Sequence, residues 1–112
     1  MSEATKQRSA FVTGATGCIG SALTFRLAND GWRIVAPVRD RIRAGFLNQL
    51  PNVEIVEAEL GDRQRMAESM RGCQTVFHLA AKVHAAPGTP AEEFERDNVI
   101  GTRNVVASAI EN

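Results

Sequence analysis

The 112-residue chain contains no tyrosine, one tryptophan and two cysteines, and each shortage narrows what it can do. Without a phenol, no tyrosine is available for proton transfer. Cys18 and Cys73 are far apart in sequence and have no histidine at ligand spacing. That excludes a disulfide framework and a zinc site and leaves two free thiols. Charge of one sign is also missing, since 13 basic and 13 acidic residues cancel. The broad positive surface of a nucleic-acid or membrane-surface binder is therefore absent, and any anion must be bound locally. No apolar run is long enough to span a bilayer, and the polar residues 1–9 lack the apolar core of a signal peptide, so a cytoplasmic location is expected.

What is present is a globular composition, 44% hydrophobic and 23% charged, enough for one domain over 1–112 with its own core. Residues 9–13 form a β-prone run that stops at Gly14, and Ile19, Ala22, Leu23 and Leu27 then recur at helical spacing. Asn29-Asp30-Gly31 supplies a helix stop, and 33–38 reads as a second strand, weakened by Pro37. A short helix is expected over 40–50, capped by Asp40 and ending at Pro51. A third strand follows over 53–58, then a helix over 62–70 closed by Gly72. Residues 75–80 are nearly all apolar, as in a strand covered on both faces. Thr89-Pro90-Ala91-Glu92 has the form of a threonine cap, a proline at the first helical position and a glutamate three residues after the cap, opening a long helix over 90–110. This alternation predicts an α/β fold, a doubly wound parallel sheet of Rossmann type with four strands in the order 3-2-1-4.

Gly14-Ala15-Thr16-Gly17-Cys18-Ile19-Gly20 lies where the first strand gives way to the first helix. Amides opening that helix point above the sheet edge, where a doubly charged pyrophosphate is the natural occupant. Gly14 would permit the sharp turn, Gly17 would let a phosphate approach the backbone, and Gly20 would let the helix pack closely on the sheet. Three glycines alone are a weak signal. Their position after a strand, before a helix and beside the switch point between strands one and four makes them a dinucleotide site.

In these residues the chain resembles the extended short-chain dehydrogenases/reductases, a family that includes epimerases, dehydratases and reductases. The likeness runs from Gly14, Gly17 and Gly20 through Glu59-Leu60-Gly61-Asp62 and Val76-Phe77-His78-Leu79-Ala80-Ala81 to Asp97-Asn98-Val99-Ile100-Gly101-Thr102. The resemblance implies that Thr16, Cys18 and Ile19 share the glycine loop around the cofactor. It places Glu59 and Leu60 beside the adenine, although aspartate is commoner than glutamate there. Leu79, Ala80 and Ala81 would line the cofactor at the end of strand four, and Asn98 would lie near it. Arg39, after Val38, matches the arginine of NADP-using reductases, with Arg41 and Arg43 adding positive charge, and a guanidinium fork suits a 2′-phosphate. NADP is the expected cofactor, with NAD the alternative.

The resemblance also implies a Tyr-x-x-x-Lys pair for catalysis, and that pair is not in these 112 residues. The chain is thus expected to be the front part of a longer enzyme that transfers hydride between nicotinamide and a carbinol or ketone carbon, with no catalytic residue of its own. The rival expectation is a nucleotide-sensing Rossmann protein without chemistry. An uncovered strand-four edge would favour weak self-association. Lys82 and His84 read as loop residues, His78 as a packed core histidine, and Arg63, Arg65 and Arg71 as a solvated helix face.

Overall fold

A computed structural model of the chain describes residues 7–80 and 87–112. Four strands, β1 (Ser9–Thr13), β2 (Arg33–Val38), β3 (Val53–Glu57) and β4 (Thr75–His78), form one parallel sheet in the order β3-β2-β1-β4. This is the α/β doubly wound order expected. The registers Phe11↔Val35, Phe11↔Val76 and Ala36↔Ile55 bring the carboxyl ends of all four strands to one edge. Helix α1 (Cys18–Asn29) and a 3-10 turn at Gly45–Gln49 cover one face of the sheet, and α2 (Arg63–Met70) and α4 (Gly101–Glu111) cover the other.

The alternation of β1 sorts its side chains between two cores. Ala10 and Val12 join Leu27, Ala28, Ile34, Ala36, Leu47 and Ile55 on the α1 side. Phe11 joins Val35, Val56, Met66, Met70 and Val105 on the other. All five residues of β1 are buried, as an interior strand of a two-faced sheet requires. Pro37 does no harm in β2. The amide of Arg33 donates towards β1, to the Arg8 carbonyl, and that of Ile34 towards β3, to the Asn52 carbonyl. Pro37 therefore turns its missing donor to the β1 side, beyond Val35, where the β1 register ends.

Several expectations need correcting. No α-helix forms over 40–50. The Asp40 carboxylate accepts the amides of Ile42 (2.9 Å) and Arg43 (3.3 Å), which closes the segment into a local turn before the 3-10 turn. Helix α1 buries Gly20, Thr24, Leu27 and Ala28, whereas Ile19, 72% exposed, and Ala22 face outwards. β4 is half-buried along its length because it pairs with β1 on one side only. The last helical stretch is interrupted: α3 (Ala91–Phe94), capped by Pro90 rather than Thr89, runs into a π turn at Glu95–Ile100 before α4. A π turn carries one extra residue and re-aims the side chains it holds.

Candidate dinucleotide site

The loop after β1 is shaped by glycine sterics. Gly14 has φ +75°, and a Cβ there would sit 2.7 Å from the Ala80 amide nitrogen. A Cβ on Gly20 would sit 1.8 Å from the Gly14 carbonyl oxygen. The third glycine is thus required by the loop's own backbone, not by helix-to-sheet packing. Gly17 is different: its φ of −78° suits any residue, and a Cβ would meet only the Gly14 oxygen, at 3.4 Å. Its amide donates to that same oxygen (3.0 Å), closing the turn. Gly17 caps α1 with no side-chain hydrogen bond, and the first turn of α1 has no acidic residue. The opening amides of α1 have no partner within the helix, and Thr16, Gly17, Cys18 and Ile19 are exposed around them.

Beneath the loop lies a network anchored on Thr13, which is 1% exposed. Its Oγ1 accepts the amides of Leu79 (3.1 Å) and Ala80 (3.2 Å), and it lies 2.6 Å from His78 Nδ1. With both acceptor positions of the hydroxyl filled, its proton goes to Nδ1. His78 is then neutral with its proton on Nε2, donated to Thr102 Oγ1 at 2.9 Å. Burial pushes the His78 pKa below its ordinary value, in keeping with a neutral ring. The expected core histidine is a hydrogen-bonded tie between the ends of β1 and β4 and the start of α4.

At the end of β2 the site is made of exposed side chains. A cleft of about 360 Å³ is lined by Arg39, Glu57, Ala58, Glu59, Asp62 and Arg65. Arg39 Nη2 lies 3.3 Å from Asp97 Oδ1 on the π turn, Arg41 3.9 Å from Glu57 and Arg43 3.7 Å from Asp40. The three arginines expected to add positive charge each have a carboxylate beside them.

The profile of the NAD dependent epimerase/dehydratase family matches residues 10–112. The chain belongs to this family. It is 38% identical over 99 residues to a putative dihydroflavonol 4-reductase of Synechocystis sp., covering 88% of this chain and 28% of that protein. It is 34% identical over 108 residues to tetraketide alpha-pyrone reductase 1 of Arabidopsis thaliana, covering 90% and 33%. The solved structure of the Bordetella bronchiseptica enzyme WbmH in complex with NAD+ superposes with a TM-score of 0.79 at 26% identity, over 95% of this chain and 36% of that one. The chain therefore spans only 28% and 33% of the length of the two curated relatives.

In this member of the epimerase/dehydratase family the remaining expected residues are distributed as follows. Leu79, 39% exposed, and Ala80 follow β4 directly beside Gly14. Ala81 lies outside the described residues, as do Lys82 and His84. Glu59 is exposed in the cleft with Arg39. Leu60 packs into the second core, and its carbonyl accepts from Asn104 Nδ2 at 2.8 Å. Asn98 sits half-buried on the π turn. Cys18 and Cys73 are free thiols, and burial raises the Cys73 pKa, an effect that Arg33 opposes and Glu54 reinforces. Among the described residues no helix is long and apolar enough to cross a membrane.

Sequence reasoning missed Thr13, Thr102, Asp97 and Arg65. The first two carry no signal beyond being hydroxyls at strand and helix ends. Arg65 is exposed on its helix, as expected, and it also lines the cleft, where its Nε donates to the Glu57 carbonyl at 3.4 Å.

Proposed function

We propose that this chain holds the pyrophosphate of NADP on the loop from Gly14 to Gly20. In this reading it serves as the dinucleotide-binding part of an oxidoreductase or epimerase-type enzyme. The carrying observation is Gly17: it alone of the three loop glycines needs no absent Cβ for folding, and it faces open space at the uncapped start of α1. A glycine without a folding reason, set among unpartnered helix amides, has the form of a phosphate cradle.

When bound, the nicotinamide supplies hydride chemistry at its C4, exchanging with a carbinol or ketone carbon. The chain's own residues bind and orient. The opening amides of α1 hold the pyrophosphate, with Thr16, Cys18 and Ile19 around it. Leu79 and Ala80 shape the floor of the site, and Asn98 approaches from the π turn. Glu59 and Leu60 flank the adenine. Arg39 takes the 2′-phosphate, which favours NADP over NAD. Reductase names recur among the relatives at 38% and 34% identity, which supports a carbonyl reduction in the whole protein, with a small-molecule ketone as substrate.

The test is a shift of thermal midpoint with NADP and with NAD at matched salt, since a ligand that binds the native state stabilises it by mass action. NADP is expected to stabilise more, and Arg39→Glu to reverse the order. Equal shifts in the wild type that Arg39→Glu leaves unchanged would remove the NADP assignment. Weak self-association is also proposed, supported by exposed Val99, Val106 and Ile110 along α4 and the preceding turn. A single monomeric species in sedimentation at high concentration counts against it.

A further inference from the structure

The end of β2 and the π turn, 58 residues apart in sequence, meet through one carboxylate. Asp97 Oδ1 lies 3.3 Å from Arg39 Nη2 and 3.5 Å from Arg96 Nε. The Asp97 side chain is only 12% exposed, whereas both guanidinium groups are 61% exposed. The carboxylate is therefore the more buried member of the group, carried on the π turn, and Arg39 is the exposed one lying over it. Among the described residues it is the carboxylate in ion-pair contact with Arg39.

We infer that Asp97 is a specificity-determining residue that opposes binding of the 2′-phosphate, so that the preference for NADP over NAD is set by the balance between Arg39 and Asp97. This rests on the assignment of Arg39 to the 2′-phosphate. Two effects give it its sign. A guanidinium grips a phosphate best through two neighbouring nitrogens, and Nη2 is already engaged by Asp97. A negative charge one side chain away from an arriving dianion also raises the free energy of the bound state, screened by salt but not abolished. Neither effect touches NAD, which has no phosphate at that hydroxyl. The device lets the protein accept a 2′-phosphate without excluding the cofactor that lacks it.

Asp97→Asn removes the charge while keeping the side chain's shape and its acceptor oxygen, so it separates charge from orientation. Calorimetric titration with NADP and with NAD at low and at physiological salt gives the readout. Asp97→Asn is expected to tighten NADP about three- to tenfold, with NAD unchanged and the gain shrinking as salt rises. In an Arg39→Glu background the part of the gain that comes from freeing Nη2 should vanish, leaving a smaller gain that salt screens. Glu93→Gln removes a carboxylate that touches Arg96 at 3.5 Å, and should leave both affinities alone. Weaker NADP binding by Asp97→Asn would show that the carboxylate orients Arg39 rather than opposing the phosphate. Equal tightening of both cofactors, or no change in either, would also overturn the inference. If Arg39→Glu alone leaves both affinities unchanged, the Arg39 assignment falls and this inference falls with it. If Arg39→Glu weakens NADP but Asp97→Asn does nothing, the assignment stands and only the role of Asp97 is lost.

Discussion

The glycine loop and the flank at Arg39 serve one proposed ligand but are built in opposite ways. The loop is backbone held by sterics: the Gly14 carbonyl fits under Gly20 only because no Cβ is there, and Gly14 itself lies against Ala80. The flank is three exposed arginines, each lying beside a carboxylate. Gly14 and Gly20 cannot be exchanged without disrupting the loop, whereas paired surface charges can be retuned at almost no cost in stability. In the proposed reading, affinity for the shared pyrophosphate belongs to the loop, and choice between two cofactors to the flank.

The largest effects should therefore come from the loop. Gly20→Ala drives a methyl to 1.8 Å from a backbone oxygen that has no room to move. A loss of about 3 kcal/mol or more is expected in urea unfolding. Gly14→Ala combines a positive φ with a 2.7 Å approach to Ala80 and should cost nearly as much. A change below about 1 kcal/mol in either would break the distinction. Next comes Thr13→Val, which keeps the shape but strips the acceptor from the Ala80 amide, and one of two from the Leu79 amide, which also donates to the Thr13 carbonyl at 3.2 Å. The cost expected for leaving the Ala80 amide unpaired is about 1–3 kcal/mol, and dinucleotide affinity should fall with it.

The same network predicts a pH dependence. The folded-state pKa of His78 is depressed by burial below the ordinary 6.5. The unfolded chain then takes up a proton more readily than the folded one. The stability linked to His78 is present above about pH 6.5 and is lost as pH falls from there towards the lower folded value. Thermal midpoints at pH 7.5 and 5.5 should drop more in the wild type than in His78→Gln, and equal drops would remove the neutral-histidine assignment. The smallest effect on stability belongs to the flank. Arg39→Glu should change urea stability by no more than about 1 kcal/mol, because Arg39 is 61% exposed, while a large effect on cofactor choice is expected from it.

The same contrast governs what could be read from the sequence. β1, β2 and the stop at Gly31 were legible because short β-prone runs were bounded by glycines with one conformational task, and Gly31 does adopt φ +89°. The strand order followed from right-handed crossovers. The 40–50 segment was misread because Asp40 closes a turn with its own side chain, an interaction that competes with helix and leaves the same composition. The π turn was invisible because one extra residue at Glu95–Ile100 does not disturb an apolar pattern enough to show. In the site, Gly14 and Gly20 were legible because no other residue fits their places, and Gly17 by its spacing between them. Asp97 was not, since nothing in sequence connects it to Arg39 across 58 residues. The tie through Thr13 was hidden for the same reason, Thr13 and His78 standing 65 residues apart.

The most direct test of the pyrophosphate cradle is Gly17→Ala, followed by urea unfolding and a titration with NADP. The backbone at Gly17 accepts a side chain, and the new methyl meets only the Gly14 oxygen at 3.4 Å. Stability should change by less than about 1 kcal/mol, while NADP and NAD both weaken at least about tenfold because the methyl stands where a phosphate must approach. Unchanged affinity in a folded Gly17→Ala protein would contradict the cradle and with it the proposed function of the loop.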